Sequence, residues 1–358
     1  MKNTYLAMLI GCAVCSIVTT GFSQESNYYA NAFGTEDEVL KQALHAIIKN
    51  HSEFTYTSSS TDVWDVLKET DRDTVNPDNV ILIYSGRSIN AAQEYNSAQG
   101  WSREHVWAKS RGDFGTSPGP GTDVHHLRPC DVSVNSTRSN RNFDACVTCQ
   151  DVIDNGFNTG SKKDANLWTF EPPDAVKGDV ARMIFYMAVR YEGGGGELDL
   201  ELTSSLLDKL AKDPLQSKLT TFLNWNNLDP VSDWERNRNE IIYSDYQGNR
   251  NPFIDHPEIA EYIWGDSVGV AWLPTFPTGI DEMKEEGVLV YPNPARHSFS
   301  IKGAYTKLEL FNTQGQFILR QNGGKNSIIN VAFLPKGIYF MKVTSISGEM
   351  VIQRMLKI

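Results

Sequence analysis

The segment "TEDEVLKQALHAIIKN" places Val39, Leu40, Ala43, Leu44, Ile47 and Ile48 three and four positions apart, which predicts an amphipathic helix. Thr35 with Glu38 reads as a capping box at its start, and His45 falls on or near the apolar face as a packed core residue. "TDVWDVLKETD" predicts a second helix, and "NVILIYSG", ended by Gly86, a short buried strand. Residues 101–142 carry Gly, Pro, Asn, Asp and Arg with weak periodicity, the pattern of loops held by a scaffold. "GDVARMIFYMAVRY" then predicts a buried helix capped by Asp179, and "EGGGGELDL" a flexible turn. "SDWERNRNEIIY" opens on another capping box, Ser232 with Glu235, and its arginine face is expected in solvent. "YQGNRNPFIDHPEIAEYIW" reads as turns and a last short helix, with His256 structural.

The pattern changes after that. Residues 266–286 mix Gly, Pro and charge without periodicity, as a linker does. From Val288 it becomes β: "SFSIKG", "KLELFNTQGQFILR", "SIINVAF", "KGIYFMKVTSISGEMVIQRMLKI". Roughly seven short strands in this stretch predict a small β-sandwich at 287–358. The fold class is therefore α+β over residues 24–265, followed by an all-β domain.

Composition narrows the setting. Of 358 residues, 40% are hydrophobic and 22% charged, as in a folded soluble protein. Lys2, the apolar "YLAMLIGCAVCSIV" and the small residues of "TTGFSQ" read as a secretory signal over residues 1–23, cut after Ser23. The alternative is a lipoprotein box, "LIGC", with Cys12 carrying the lipid. The apolar run is short for a membrane span and no second long one follows, so no mature transmembrane segment is expected. Removal of the signal leaves Cys130, Cys146 and Cys149. Three thiols in an exported chain allow one bridge and one leftover, and the pairing stays open. "CVTC" has no second CxxC to complete a zinc site.

Charge then singles out one region. The chain has a formal net charge of −11, so it lacks a general pull on polyanions. Yet across residues 101–142 six cationic side chains (Arg103, Lys109, Arg111, Arg128, Arg138, Arg141) face four anionic ones. His105, His125 and His126 lie in the same stretch, and Glu104 adjoins His105. A neutral imidazole can deprotonate water near pH 7. Glu and Asn oxygens suit a hard divalent cation. A local basic pocket around such a pair suits a phosphodiester. Neighbours on a regular strand point to opposite faces, so Glu104 and His105 are expected at a strand end. Trp101 and Trp107 read as core rather than as stacking platforms for bases. The HExxH spacing of a zinc peptidase is absent.

"REHVWAKSRGDFG", "TDVHHLRPCDVSVNSTRSN" and "YQGNRNPFIDHPE" closely resemble the bacterial endonuclease I family, secreted or periplasmic nucleases of the His-Me finger, or ββα-metal, type. The resemblance implies His105 as general base and Glu104 and Asn135 as metal ligands, with Asn140 and Asn142 as competitors for the last role. It implies one Mg2+-type ion, with Mn2+ or Ca2+ as substitutes, and a largely sequence-independent cut of DNA, RNA or both that leaves 5′-phosphate ends. Arg103, Arg128 and Arg138 are candidate phosphate contacts, and Asp123 with His125 a structural hydrogen-bonding pair. Cys130, where relatives carry a small residue, suggests a bridge to Cys146 or Cys149. The C-terminal "VYPNPARHSFSI", "LELFNTQGQ" and "LPKGIYFMKV" resemble the sorting domain of the type IX secretion system of Bacteroidetes. That implies export machinery as a partner and a secreted or surface-attached protein; a monomer is expected. The competing reading is a non-catalytic secreted nucleic-acid-binding or surface protein on a nuclease scaffold.

Overall fold

The computed structural model describes residues 28–274, 289–291, 295–312, 316–345 and 350–358; the signal segment lies outside them. The chain divides into two compact units at Pro274.

The amphipathic segment folds as α1, Asp37–Ile48, burying Leu40, Leu44 and Ile48. The expected Thr35–Glu38 box does not form: Glu36 holds the N-cap position without a side-chain bond, and Thr35 Oγ1 donates to the Ala32 carbonyl instead. α2, Val63–Thr70, starts on a capping box of Asp62 and Asp65. "NVILIYSG" gives β1, Asn79–Ile81, paired antiparallel with β2, Ser88–Asn90, and carries on into buried Leu82, Ile83 and Tyr84.

The centre of the first unit is a ribbon followed by a helix. β3, Trp101–His105, pairs antiparallel with β4, Leu127–Asp131, placing Glu104 opposite Arg128 and His105 opposite Leu127. The chain passes from β4 directly into α3, Val132–Arg138. β5 (Asn142–Phe143), β6 (Gln150–Asp154), β7 (Phe157–Asp164) and β8 (Thr169–Glu171) form a four-stranded sheet in the order β5-β8-β7-β6, and β9 (Glu201–Thr203) pairs parallel with β10 (Leu215–Ser217). α4, Lys177–Arg190, is buried along nearly its whole length. It packs beside α5, Leu219–Leu228. Asp179 does not cap α4; it sits in the first turn, 3.2 Å from Arg128. α6, Asp233–Ile241, has the expected Ser232–Glu235 capping box. Its Arg238, expected in solvent, is buried and binds Asp71. α7, Pro252–Asp255, and α8, Ile259–Trp264, close the helical layer.

Residues 266–274, read as the start of the linker, lie against this unit. Trp272 is fully buried, in edge contact with Tyr29, Phe33 and His256, and its amide donates to Thr35.

The second unit is β-rich. Its described residues form one five-stranded sheet of β11 (Leu289–Tyr291), β12 (Ser298–Asn312), β13 (Phe317–Asn330), β14 (Gly337–Ser345) and β15 (Met350–Lys357). The strands are fewer and longer than the seven anticipated. β12 and β13 run past turn-like residues by way of register shifts, as at Ile301/Ala304, where a bulge absorbs what looked like a break. Phe299, Ile301, Leu308, Leu310 and Met341 fill its core.

Candidate active site

The ββα unit brings the acid–imidazole pair and the helix-borne amide to one cleft. This cleft, about 660 Å³, is lined by Glu104, His105, Asn135, Arg138, Lys109 and Trp168 among others. His105 is the last residue of β3. Glu104 turns to Tyr84 and Arg138, whereas the His105 ring stacks beside Tyr56 and meets His126 edge-on. The two side chains thus leave opposite faces of the ribbon, as the alternation of a strand requires, and both residues line the cleft.

His105 Nε2 lies 3.0 Å from the carbonyl of Gly121. A carbonyl only accepts, so this nitrogen carries the proton and Nδ1 keeps the lone pair. Burial holds the imidazole well below its ordinary pKa, reinforced by His126, Lys109 and Arg103. It is therefore neutral near pH 7, as a base must be.

Glu104 is 1% exposed. Burial pushes its carboxyl up to about 7 against the opposing pull of Arg138 and the hydrogen bond from Tyr84. Tyr84 Oη donates to Oε1 at 2.9 Å, and Arg138 Nε approaches the same oxygen at 3.3 Å. Asn135 donates through Nδ2 to Ser102 Oγ at 3.0 Å and to the Arg103 carbonyl at 3.2 Å. That orientation leaves its Oδ1 as the available atom. The other two asparagines are committed. Asn140 Oδ1 accepts from Trp168 Nε1 at 2.9 Å. Asn142 Oδ1 accepts from Leu207 N and Ser217 Oγ. The donor set in the cleft is thus a carboxylate and an amide oxygen, both hard, which fits a divalent cation that keeps several waters.

The arginines differ from expectation. The Arg103 guanidinium lies over the rings of Tyr56 (3.4 Å) and Trp64 (4.0 Å) and donates to the Tyr56 carbonyl and Thr57 Oγ1. Arg128 is enclosed between Asp71 and Asp179 beneath Trp234. Both brace the scaffold through these contacts and neither lines the cleft; charge counting along the chain had no means of separating them from cleft residues. Arg138 lines the cleft, but its two terminal nitrogens hold the carbonyls of His105 and Val106. The exposed cations of the cleft are Lys109 and Lys209.

Asp123 collects the Tyr186 and Tyr191 hydroxyls, Gln247 and the His125 amide. His125 Nε2 pairs with the Asn249 carbonyl at 3.1 Å. Trp101 and Trp107 are fully buried, their indole nitrogens donating to Ala91 and Arg111 carbonyls. The disulfide joins Cys146 to Cys149, and Cys130 is free and buried. The bridge suggested from Cys130 therefore does not form. Cys130 ends up inside the wall on β4, whereas the CxxC spacing brings its two thiols together locally.

Comparison with known proteins bears directly on this ribbon–helix unit. The family model described as Endonuclease I matches residues 36–258, more than half of the chain. This chain belongs to the endonuclease I family. The extracellular ribonuclease of Bacillus amyloliquefaciens is 51% identical over 252 residues, covering 70% of this chain and 82% of the relative. That of Bacillus subtilis (strain 168) is 50% identical over 246 residues, covering 68% and 80%. An endonuclease-1 of Buchnera aphidicola is 32% identical over 134 residues, 37% of this chain and 46% of that one. Residues 289–357 match a secretion system C-terminal sorting domain. This member of the family is thus a nucleic-acid phosphodiester hydrolase, and its sorting domain makes it a secreted or cell-surface protein. Among the described residues no helix is long and apolar enough to cross a membrane.

Proposed function

We propose that the protein is an exported, largely sequence-independent endonuclease in which His105 is the general base and Glu104 with Asn135 holds one divalent ion of the Mg2+ class. The observation that carries this reading is the Gly121 carbonyl at His105 Nε2, which leaves Nδ1 with its lone pair on a residue that lines the same cleft as Glu104 and Asn135. His105 takes the proton of a water molecule at Nδ1 as its oxygen attacks phosphorus. The Gly121 carbonyl fixes the ring, and burial excludes competing water. Tyr84 and Arg138 hold the Glu104 carboxylate, and Ser102 and the Arg103 carbonyl hold the Asn135 amide with its oxygen forward. When bound, a divalent ion offsets charge on the phosphate and on the leaving 3′-oxygen. Loss of that oxygen leaves a 5′-phosphate. Mn2+ is expected to substitute and Ca2+ to bind.

The Bacillus relatives named extracellular ribonucleases support RNA as a substrate, and nothing in the cleft excludes DNA. The test is digestion of plasmid DNA and ribosomal RNA side by side, with and without EDTA. The expected result is loss of cutting in chelator and a roughly thousandfold slower His105→Ala variant, within the range for a lost general base. Undiminished cutting in EDTA, or by His105→Ala, contradicts the reading. Retention of nucleic acid with no cutting by either protein would favour a binding role instead.

A further inference from the structure

Trp168 has no part in the chemistry above, yet it lines the same cleft. It sits at the end of the β7–β8 turn with φ +54°, a left-handed backbone uncommon for so large a residue. The indole is held from two sides. Its Nε1 donates to Asn140 Oδ1 at 2.9 Å, and the Arg141 guanidinium covers one face, 3.7 Å from the ring centre. Among the described residues no other aromatic ring stacks on it. Asn140 also donates through Nδ2 to the Lys209 carbonyl at 2.8 Å. Arg111 grips the same loop at the Asp208 and Ala211 carbonyls and reaches the Asn140 carbonyl. One network therefore sets Trp168 and the 208–211 loop against the ββα wall. That loop puts Leu210, 78% exposed, and Lys209 into the cleft. Lys109 and Lys209 form no ion pair among the described residues. Arg141, 9% exposed, likewise has no carboxylate partner among them, and its Nε has no hydrogen-bond partner.

A braced aromatic face, an exposed aliphatic side chain and cations without counter-charges together match a nucleotide: a base to stack and phosphates on either side. We propose that Trp168 and Leu210 form a nucleobase subsite beside the reacting phosphate, with Lys109 and Lys209 on the flanking backbone, so that the enzyme engages an unstacked, single-stranded nucleotide. A duplex buries its base faces in its own stack and cannot offer one to Trp168. This inference rests on the nuclease reading of the cleft but is tested by binding, which needs no catalysis.

The experiment measures fluorescence anisotropy of short labelled DNA and RNA oligonucleotides with the His105→Ala protein, adding Trp168→Ala, Trp168→Phe and Leu210→Ala in turn. The probes are single strands, the same strands with abasic positions, and the matching duplexes. Trp168→Ala is expected to weaken single-strand binding about tenfold, the order of one base–aromatic stack. Trp168→Phe restores most of it. In the otherwise wild-type enzyme the loss appears in KM rather than in kcat. The abasic probe, which has no base to lose, binds Trp168→Ala and its parent alike. Leu210→Ala, at an exposed position, weakens the single strand alone by about threefold, the order of a partly buried apolar contact, and keeps the test decisive if Trp168→Ala fails to fold. Equal losses on single strand and duplex, an equal loss on the abasic probe, or no loss from either variant would overturn the subsite. A His105→Ala protein that cuts normally would instead remove the assigned base and leave the subsite to be judged by these affinities.

Discussion

The ββα wall and the C-terminal sheet solve the problem of burial in opposite ways. Between residues 101 and 142, Arg103, Glu104, His105, Arg111, Asp123, His125, His126, Arg128, Asp131, Arg138 and Arg141 are all buried. Among the described residues of the C-terminal unit, only Glu309 and Lys357 are buried polar side chains, against a core of Phe299, Ile301, Leu308, Leu310 and Met341. An apolar core tolerates approximate packing, because hydrophobic burial has no direction. A buried charge requires a specific partner at a specific place. The first region therefore fixes its side chains through specific partners, as the site proposed for His105, Glu104 and Asn135 requires. The second needs only to present a sheet.

That contrast can be broken most severely at Arg128. Arg128→Met leaves Asp71 and Asp179 in the interior with one cation fewer, and should cost about 4 kcal/mol of nuclease-unit stability in urea unfolding. A loss below about 1 kcal/mol would mean that the pairs are dispensable. In the apolar region, Leu308→Ala opens a cavity in the sheet's core and should cost about 3 kcal/mol. That loss should register in the unfolding of the C-terminal unit while cleavage of nucleic acid per folded molecule is unchanged; equal damage to both units would erase the distinction.

The smallest effect is a matter of pH. Burial lowers His125 to about 4, against the pull of Asp123. Between that value and the unfolded value of about 6.5 the unfolded chain binds the extra proton. Stability therefore rises with pH through this window and is lost as pH falls below about 6.5. Glu104 and Asp179, raised to about 7, contribute with the opposite sign, so the comparison must be made between variants. His125→Gln should flatten the fall in stability between pH 7 and pH 5 by about 2 kcal/mol relative to the parent. Parallel pH curves would show that His125 does not titrate with unfolding. The C-terminal unit should show no matching change.

The same contrast explains what the sequence disclosed. Helix α1 and the late strands were legible because apolar residues repeat at the period of the element. The roles proposed for Glu104, His105 and Asn135 came from a motif, since weak periodicity gave no guide to which side chains converge. The fates of Arg103 and Arg128 were hidden for a related reason: a guanidinium beneath Trp64 or between two aspartates is written identically to one facing a phosphate. The cysteine pairing resolved locally, Cys146 to Cys149. Trp168 carried no signal because its partner Asn140 stands 28 residues earlier in the chain. The linker boundary moved because a single residue, Trp272, finds an aromatic pocket that no pattern in "SVGVAWLP" announces.

In the proposed mechanism Glu104 and Asn135 hold a cation in the cleft that His105 lines. Anomalous diffraction from crystals of the His105→Ala protein soaked with Mn2+ and a short oligonucleotide addresses it most directly. The account predicts one strong manganese peak in contact with a Glu104 oxygen, Asn135 Oδ1 and a phosphate oxygen. A peak at the Glu192–Asp199–Glu201 cluster instead, or none in the cleft with nucleic acid bound there, would contradict it.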